Sequence, residues 1–291
     1  MPSGNTTTAA LNDSLPTVIS SARITREYEG VMPQLVDKVT LGKGIGLSWN
    51  EVTYAQLTAT ATGETTEHNN PQQISDTLFT ITPTGITIHT VITDKVADRI
   101  TKNGFAKLGS LAQNAVQRMK DENGLTVLDG ATISLCGAGT TMASGYVAAA
   151  AKRITSNATE PGNKPIRCVL HGYQIKDIYD ELVAGVGTYV VSEGLTARVF
   201  SDGFNLPIAG CEIYEDGNIT IDSSDDAKGG VFAKEAIVLV QGEGPQVVTI
   251  RNEKIGMGAT EVIHRDEYAY GERSAGNWLY ELYSDATAPT S

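Results

Sequence analysis

The chain has 291 residues, 41% hydrophobic and 19% charged, enough apolar material for one large domain or two ordinary ones and too much for a wholly disordered chain. Its 22 basic and 34 acidic side chains give a net charge of −12, which argues against gripping nucleic acid through phosphates. The excess is one-sided: residues 1–170 carry 14 basic and 14 acidic side chains, whereas residues 171–291 carry 8 and 20.

Residues 1–20 are small, polar and poor in large hydrophobes, and read as an extended arm that needs a partner to become ordered. They have neither the basic start nor the apolar run of a signal peptide, and nowhere does an apolar stretch reach the ~18 residues of a membrane span. A brief helix is expected over 21–31, before Met32-Pro33. Alternating apolar residues then run through Trp49, Val52, Tyr54 and Leu57 and resume at 78–82 and 86–91, around the polar tip TATGETTEHNNPQQISD. This pattern predicts a long two-stranded β-arm with a turn at Pro83-Thr84-Gly85 in its returning limb. An isolated hairpin is marginal in water, so the arm needs something to lie on.

The period then changes. Val96, Ile100, Gly104, Leu108, Leu111, Ala115 and Met119 recur three and four residues apart, which predicts a helix over 94–122 stopped by Asn123-Gly124, with a candidate bend at Gly104 and Gly109. Ile100, Leu108, Leu111 and Met119 are its expected core positions. Further on, 131–135 reads as a strand, 141–154 as a helix, 166–170 as a buried strand and 173–183 as an amphipathic helix. Strands are expected over 211–214, 218–221, 236–240, 246–250, 261–264 and 278–283. An arm, a long helix and then a mixed body point to an α+β fold rather than regular βα alternation.

Enzyme-like signals are weak. Thr132 to Gly139 runs a strand into Gly137-Ala138-Gly139 and then a helix, as at the start of a dinucleotide site. Met142 holds the third glycine position, and Leu170 and His171 stand where an acidic residue should end the next strand. A structural turn is the better reading. Gly42-Lys43-Gly44-Ile45-Gly46 has no Ser or Thr after its lysine and is read as a connector. His68, His89, His171 and His264 have no metal spacing, and the odd set Cys136, Cys168 and Cys211 reads as buried thiols in a reducing compartment. Asp216, Asp222, Asp225 and Asp226 form an acidic cluster that fits a solvated loop better than a weak divalent site, because Gly217 is misplaced for a calcium loop. No cofactor, metal or catalytic residue is expected.

Four segments, taken in order, resemble the major capsid proteins of tailed bacteriophages with the Hong Kong 97-type fold. They are the arm 47–92; DKVADRITKNGFAKLGSLAQNAVQRMKDENG, similar to the spine helix; KPIRCVLHGYQIKDIYDEL; and GGVFAKEAIVLV followed by VVTIRNEKIGMGATEVIHRDEYAYGE. The resemblance implies an N-arm and connector (1–46), an E-loop (47–92), a peripheral domain (93–130 and 245–275), and a mainly axial domain (131–244 and 276–291). It also implies a structural role: self-assembly into hexamers and pentamers of an icosahedral shell in the host cytoplasm, enclosing double-stranded DNA without sequence-specific binding. The arm would lie on a neighbouring subunit through Trp49, Tyr54, Leu57, Leu78 and Phe79. A portal, a decoration protein and a separate scaffolding protein are further implied partners. About 45 residues precede the arm, short for a built-in scaffold, unless a prosegment has been removed. Some relatives join subunits through an arm lysine and an asparagine. Asn69 and Asn70 are present here, but no basic residue lies between Lys43 and Lys95. The alternatives are an encapsulin-like protein-cargo shell, a phage tail or adhesion protein and, from another class, an NAD-binding oxidoreductase built on Gly137 and Gly139.

Overall fold

A computed structural model describes residues 5–6, 27–65, 67, 71–98, 102–185, 207–274 and 276–290. Strands β1 (Asn5–Thr6), β2 (Asp37–Thr40), β5 (Thr84–Thr93), β10 (Ile237–Gln241), β11 (Gln246–Asn252) and β12 (Ala259–Glu272) form a six-stranded sheet in the order β1-β5-β12-β10-β2, with β11 also on β12. The 14-residue β12 organises it. β5 runs antiparallel along one side of it, and β11 and then β10 occupy the other. A five-stranded sheet combines β6 (Ser134–Cys136), β13 (Leu279–Asp285), β9 (Asp226–Ala233), β7 (Ile166–Leu170) and β8 (Cys211–Glu215) in that order. The arm is a separate pair, β3 (Trp49–Tyr54) with β4 (Asp76–Ile81).

The helices are α1 (Met32–Leu35), α2 (Asp94–Ala97), α3 (Lys102–Asp129), α4 (Ser144–Thr155) and α5 (Gly172–Gly185). Near its middle α3 faces the six-stranded sheet, where buried Lys120 reaches Asp266 and Gln241, each at 2.8 Å. Its last turns face the five-stranded sheet, where Leu128 lies beside Gly230. One apolar core joins α1, α3, α4 and that sheet through Met32, Leu128, Val147, Ile154, Phe232 and Leu279.

Two expectations for the long helix are corrected. Asn123-Gly124 does not stop it; α3 continues to Asp129. Gly124 is needed for close approach, since a Cβ there would stand 2.8 Å from Met32 Cβ and 3.3 Å from Tyr270 Cζ. Nor is the buried stripe the one expected. Ala112, Val116, Lys120, Asp121, Leu125 and Leu128 are buried, Leu111 is half-buried and Met119 is 44% exposed. A helix that serves two sheets in succession turns different faces inward along its length, so a single three-to-four stripe misplaces its core. Leu108 lies within α3, and Ile100 falls outside the described residues.

Other elements also shift. Residues 27–31 form no helix, and the turn begins at Met32, where Pro33 suits a first helical turn. The returning limb of the arm ends at Ile81; beyond Pro83 the chain leaves as β5 and pairs with β12, so 86–91 belongs to the six-stranded sheet. β10 pairs into the same sheet. The 218–221 strand is absent; Ile221 makes only a single bridge to Ala227. The strand expected over 131–135 is the shorter β6, shifted toward Cys136.

Candidate assembly surface: the arm and its root

Period-2 alternation gives the arm two unlike faces. In register Trp49 lies opposite Ile81 and Glu51 opposite Phe79, while Val52 lies opposite Leu78 and Tyr54 opposite Asp76. The first face is an anchor. Trp49 and Phe79 meet edge-to-face, with ring centroids 6.2 Å apart, and cover buried Ile81, Val238 and Val240. The second face is bare. Tyr54 is 69% exposed, Leu78 63% and Val52 45%, and beyond the strands Leu57 and Ile74 are 60% and 64% exposed. Five large apolar side chains left open on one projection form a patch of the kind that marks an interaction site.

The arm keeps its shape beyond the strands. Ala55 N–H donates to the Ser75 carbonyl at 2.9 Å, and Thr58 N–H donates to Gln72 Oε1 at 2.8 Å. Gln56 Nε2 donates to the Thr159 carbonyl at 2.9 Å, tying the arm to the loop after α4.

A single cation fastens the root. Arg273 follows β12, and its Nε donates to Glu51 Oε2 at 2.6 Å while Nη1 donates to Asp37 Oδ2 at 3.0 Å and to the Glu235 carbonyl at 3.1 Å. Its guanidinium carbon stands 5.5 Å from the Trp49 ring centroid. A planar fork can serve two carboxylates and an aromatic face at once, which an ammonium cannot. Sequence reasoning missed Arg273: it names no partner, and Glu51 lies 222 residues away.

The expected anchors thus divide. Trp49 and Phe79 are spent within the chain, whereas Tyr54, Leu57 and Leu78 remain open, joined by Val52 and Ile74. The arm-tip positions His68, Asn69 and Asn70 fall outside the described residues.

The other motifs are occupied by the chain itself. Gly139 N–H, which a dinucleotide phosphate would require, donates to Asp226 Oδ1 at 2.7 Å. At the start of α4, Ser144 N–H donates to Glu181 Oε2 at 2.6 Å. Asp222 accepts the N–H groups of Ser224 and Asp226 at 2.7 and 3.1 Å and the Tyr283 hydroxyl at 2.9 Å. These bonds, the Asp226 amide foremost, hold the Asp222 carboxyl below its usual range. The acidic cluster is therefore a tied turn, and among the described residues no group of three His, Cys, Asp or Glu could hold a metal ion. Cys168 and Cys211 are fully buried, and burial pushes the Cys168 thiol well up; Cys136 is half-buried.

No protein-family model matches the chain. No curated protein matches it either. Solved structures do. A chain from Mycobacterium phage Che8 is similar at a TM-score of 0.73 with 15% identity, over 92% of this chain and 96% of that one. The capsid of cyanophage P-SCSP1u gives 0.72 and 13%, over 96% and 95%. The capsid asymmetric unit of cyanophage Pam1 gives 0.73 and 10%, over 99% and 100%. The chain has the fold of phage capsid proteins, an α+β fold with few helices and many strands in mixed sheets.

Proposed function

We propose that this chain is a major capsid protein, the repeated structural subunit of an icosahedral bacteriophage shell, and not a catalyst. The observation that carries the reading is the arm: on a fold matched end to end by capsid chains, it presents five large apolar side chains to solvent. Each contributes about 1.5–3 kcal/mol only when something covers it. A second copy of the chain is a partner supplied in the right number, with Tyr54, Leu57 and Leu78 resting on its surface. The six-stranded sheet with α3 serves as the peripheral domain and the five-stranded sheet with α4 and α5 as the axial domain. Hexamers and pentamers built in the host cytoplasm, a separate scaffolding protein, a portal, a decoration protein and enclosed double-stranded DNA complete the reading. The net charge of −12 suits a container that does not grip its cargo phosphate by phosphate.

Electron microscopy of the purified product is the test. Closed icosahedral shells are expected, with DNA in particles recovered from lysates. Small shells filled with protein would point to a cargo compartment. A monomer carrying bound nucleotide would overturn the proposal.

A further inference from the structure

A strap of chain, residues 27–36, crosses α3 and the turn between β8 and β9 before entering β2. It lies on two carboxylates. Asp121 on α3 accepts Met32 N–H at 2.9 Å through Oδ1 and Asn218 Nδ2 at 2.9 Å through Oδ2. Asp216, just past β8, accepts Val31 N–H at 3.3 Å and Asn218 N–H at 2.9 Å. Both are fully buried, and among the described residues neither forms an ion pair with a Lys, Arg or His. The strap sits so close that a Cβ at Gly30 would fall 1.9 Å from Asp121 Cγ. Tyr28 seals the outer side, its hydroxyl donating to the Glu215 carbonyl at 3.0 Å.

Two fully buried carboxyl groups that both hold Asn218 and have no cation beside them are costly to ionise together, and keeping a proton on Asp216 relieves that cost. We propose that Asp121 and Asp216 form a proton-operated latch that fastens the 27–36 strap to the body and loosens it when that proton leaves. The proposal stands independently of the shell reading. Burial, followed by the Asp121 charge and its hydrogen bond to Asp216, moves Asp216 from an ordinary 3.8 up to about 7, against the pull of the Asn218 and Val31 amides. The sign follows from that direction. A carboxyl with a raised value holds a proton in the docked state that the released strap gives up. Docking is therefore tightest below the ordinary carboxyl value, weakens as pH rises toward 7, and is level above it. The neighbouring groups that face the pair are Tyr28 from the strap, Glu215 from β8 and Tyr270 from β12. Both phenols are pushed up by burial and stay protonated throughout this window. His171, near Glu215, is held below its usual value by burial.

Hydrogen exchange of the whole protein, read on peptides covering 28–36 from pH 5 to 8 and corrected for intrinsic rates, tests the latch. Protection in the wild type should fall by up to tenfold per pH unit to about pH 7 and then level off. Asp216→Asn removes the titrating carboxyl, so its profile should be flat across this range; because both oxygens accept amides and Asn keeps only one, the slope and not the absolute protection is the readout. A flat wild-type profile would overturn the latch whatever the variant does. A variant that keeps the slope would assign it elsewhere, to His171 first.

Discussion

Arg273 shows how much one side chain can do where separate segments of the chain meet. It serves Glu51 of the arm and Asp37 of β2, and lies over Trp49, with only 17% of its side chain exposed. Arg273→Ala leaves two carboxylates facing each other without a counter-ion. Both are more than a third exposed, which softens the penalty. The expected cost is about 1–2 kcal/mol of subunit stability, read as a lowered Tm. In a Trp278→Phe background, Trp49 emission should also shift to the red. Arg273→Lys should recover only part of both, because an ammonium cannot reach both carboxylates and the ring; full recovery would reduce the site to simple charge.

At the scale of elements, the arm and α3 divide their residues in opposite ways. The outer face of the arm belongs to no core, so Leu78→Asp, at a position 63% exposed, should change unfolding free energy by less than ~0.5 kcal/mol while cutting the yield of assembled particles several-fold. Equal loss of folding and assembly would show that this face is covered within the chain. On α3 the ranking follows burial and not periodicity. Leu128→Ala, at a fully buried site, should cost about 2–5 kcal/mol, and Met119→Ala, at 44% exposure, less than ~0.5 kcal/mol. Denaturant titration of the unassembled subunit separates the two. The buried Lys120–Asp266 pair that fixes α3 to β12 is a third point on the same scale. Lys120→Ala leaves Asp266 uncompensated and should cost about 3–5 kcal/mol.

At the scale of the whole molecule, the arm carries carboxylates and apolar side chains but no lysine or arginine, so in the proposed shell it holds its neighbour through packing and backbone pairing repeated many times. Mature particles boiled in SDS with reductant should run as a single band near 30.8 kDa; a ladder of covalent oligomers would contradict this. Assembly should also quicken in moderate salt, because residues 171–291 hold 20 acidic against 8 basic side chains and screening relieves their repulsion. The order of arm, long helix and mixed body was legible in the sequence, because hydrophobic period is a local property that neighbouring residues report. So was the unburied arm, since a hairpin with alternating apolar residues and no core of its own needs a second surface. The fate of each strand was not legible. β5 reads as the limb of a hairpin, and only the β12 ladder, more than 160 residues later in the chain, takes it into another sheet. The buried face of α3, the reach of Arg273 to Glu51 and the meeting of Asp121 with Asp216 were likewise decided by tertiary structure. Each joins residues far apart in sequence whose partners no local pattern encodes, and each is fixed by which surfaces close on one another once the two sheets pack around the helix.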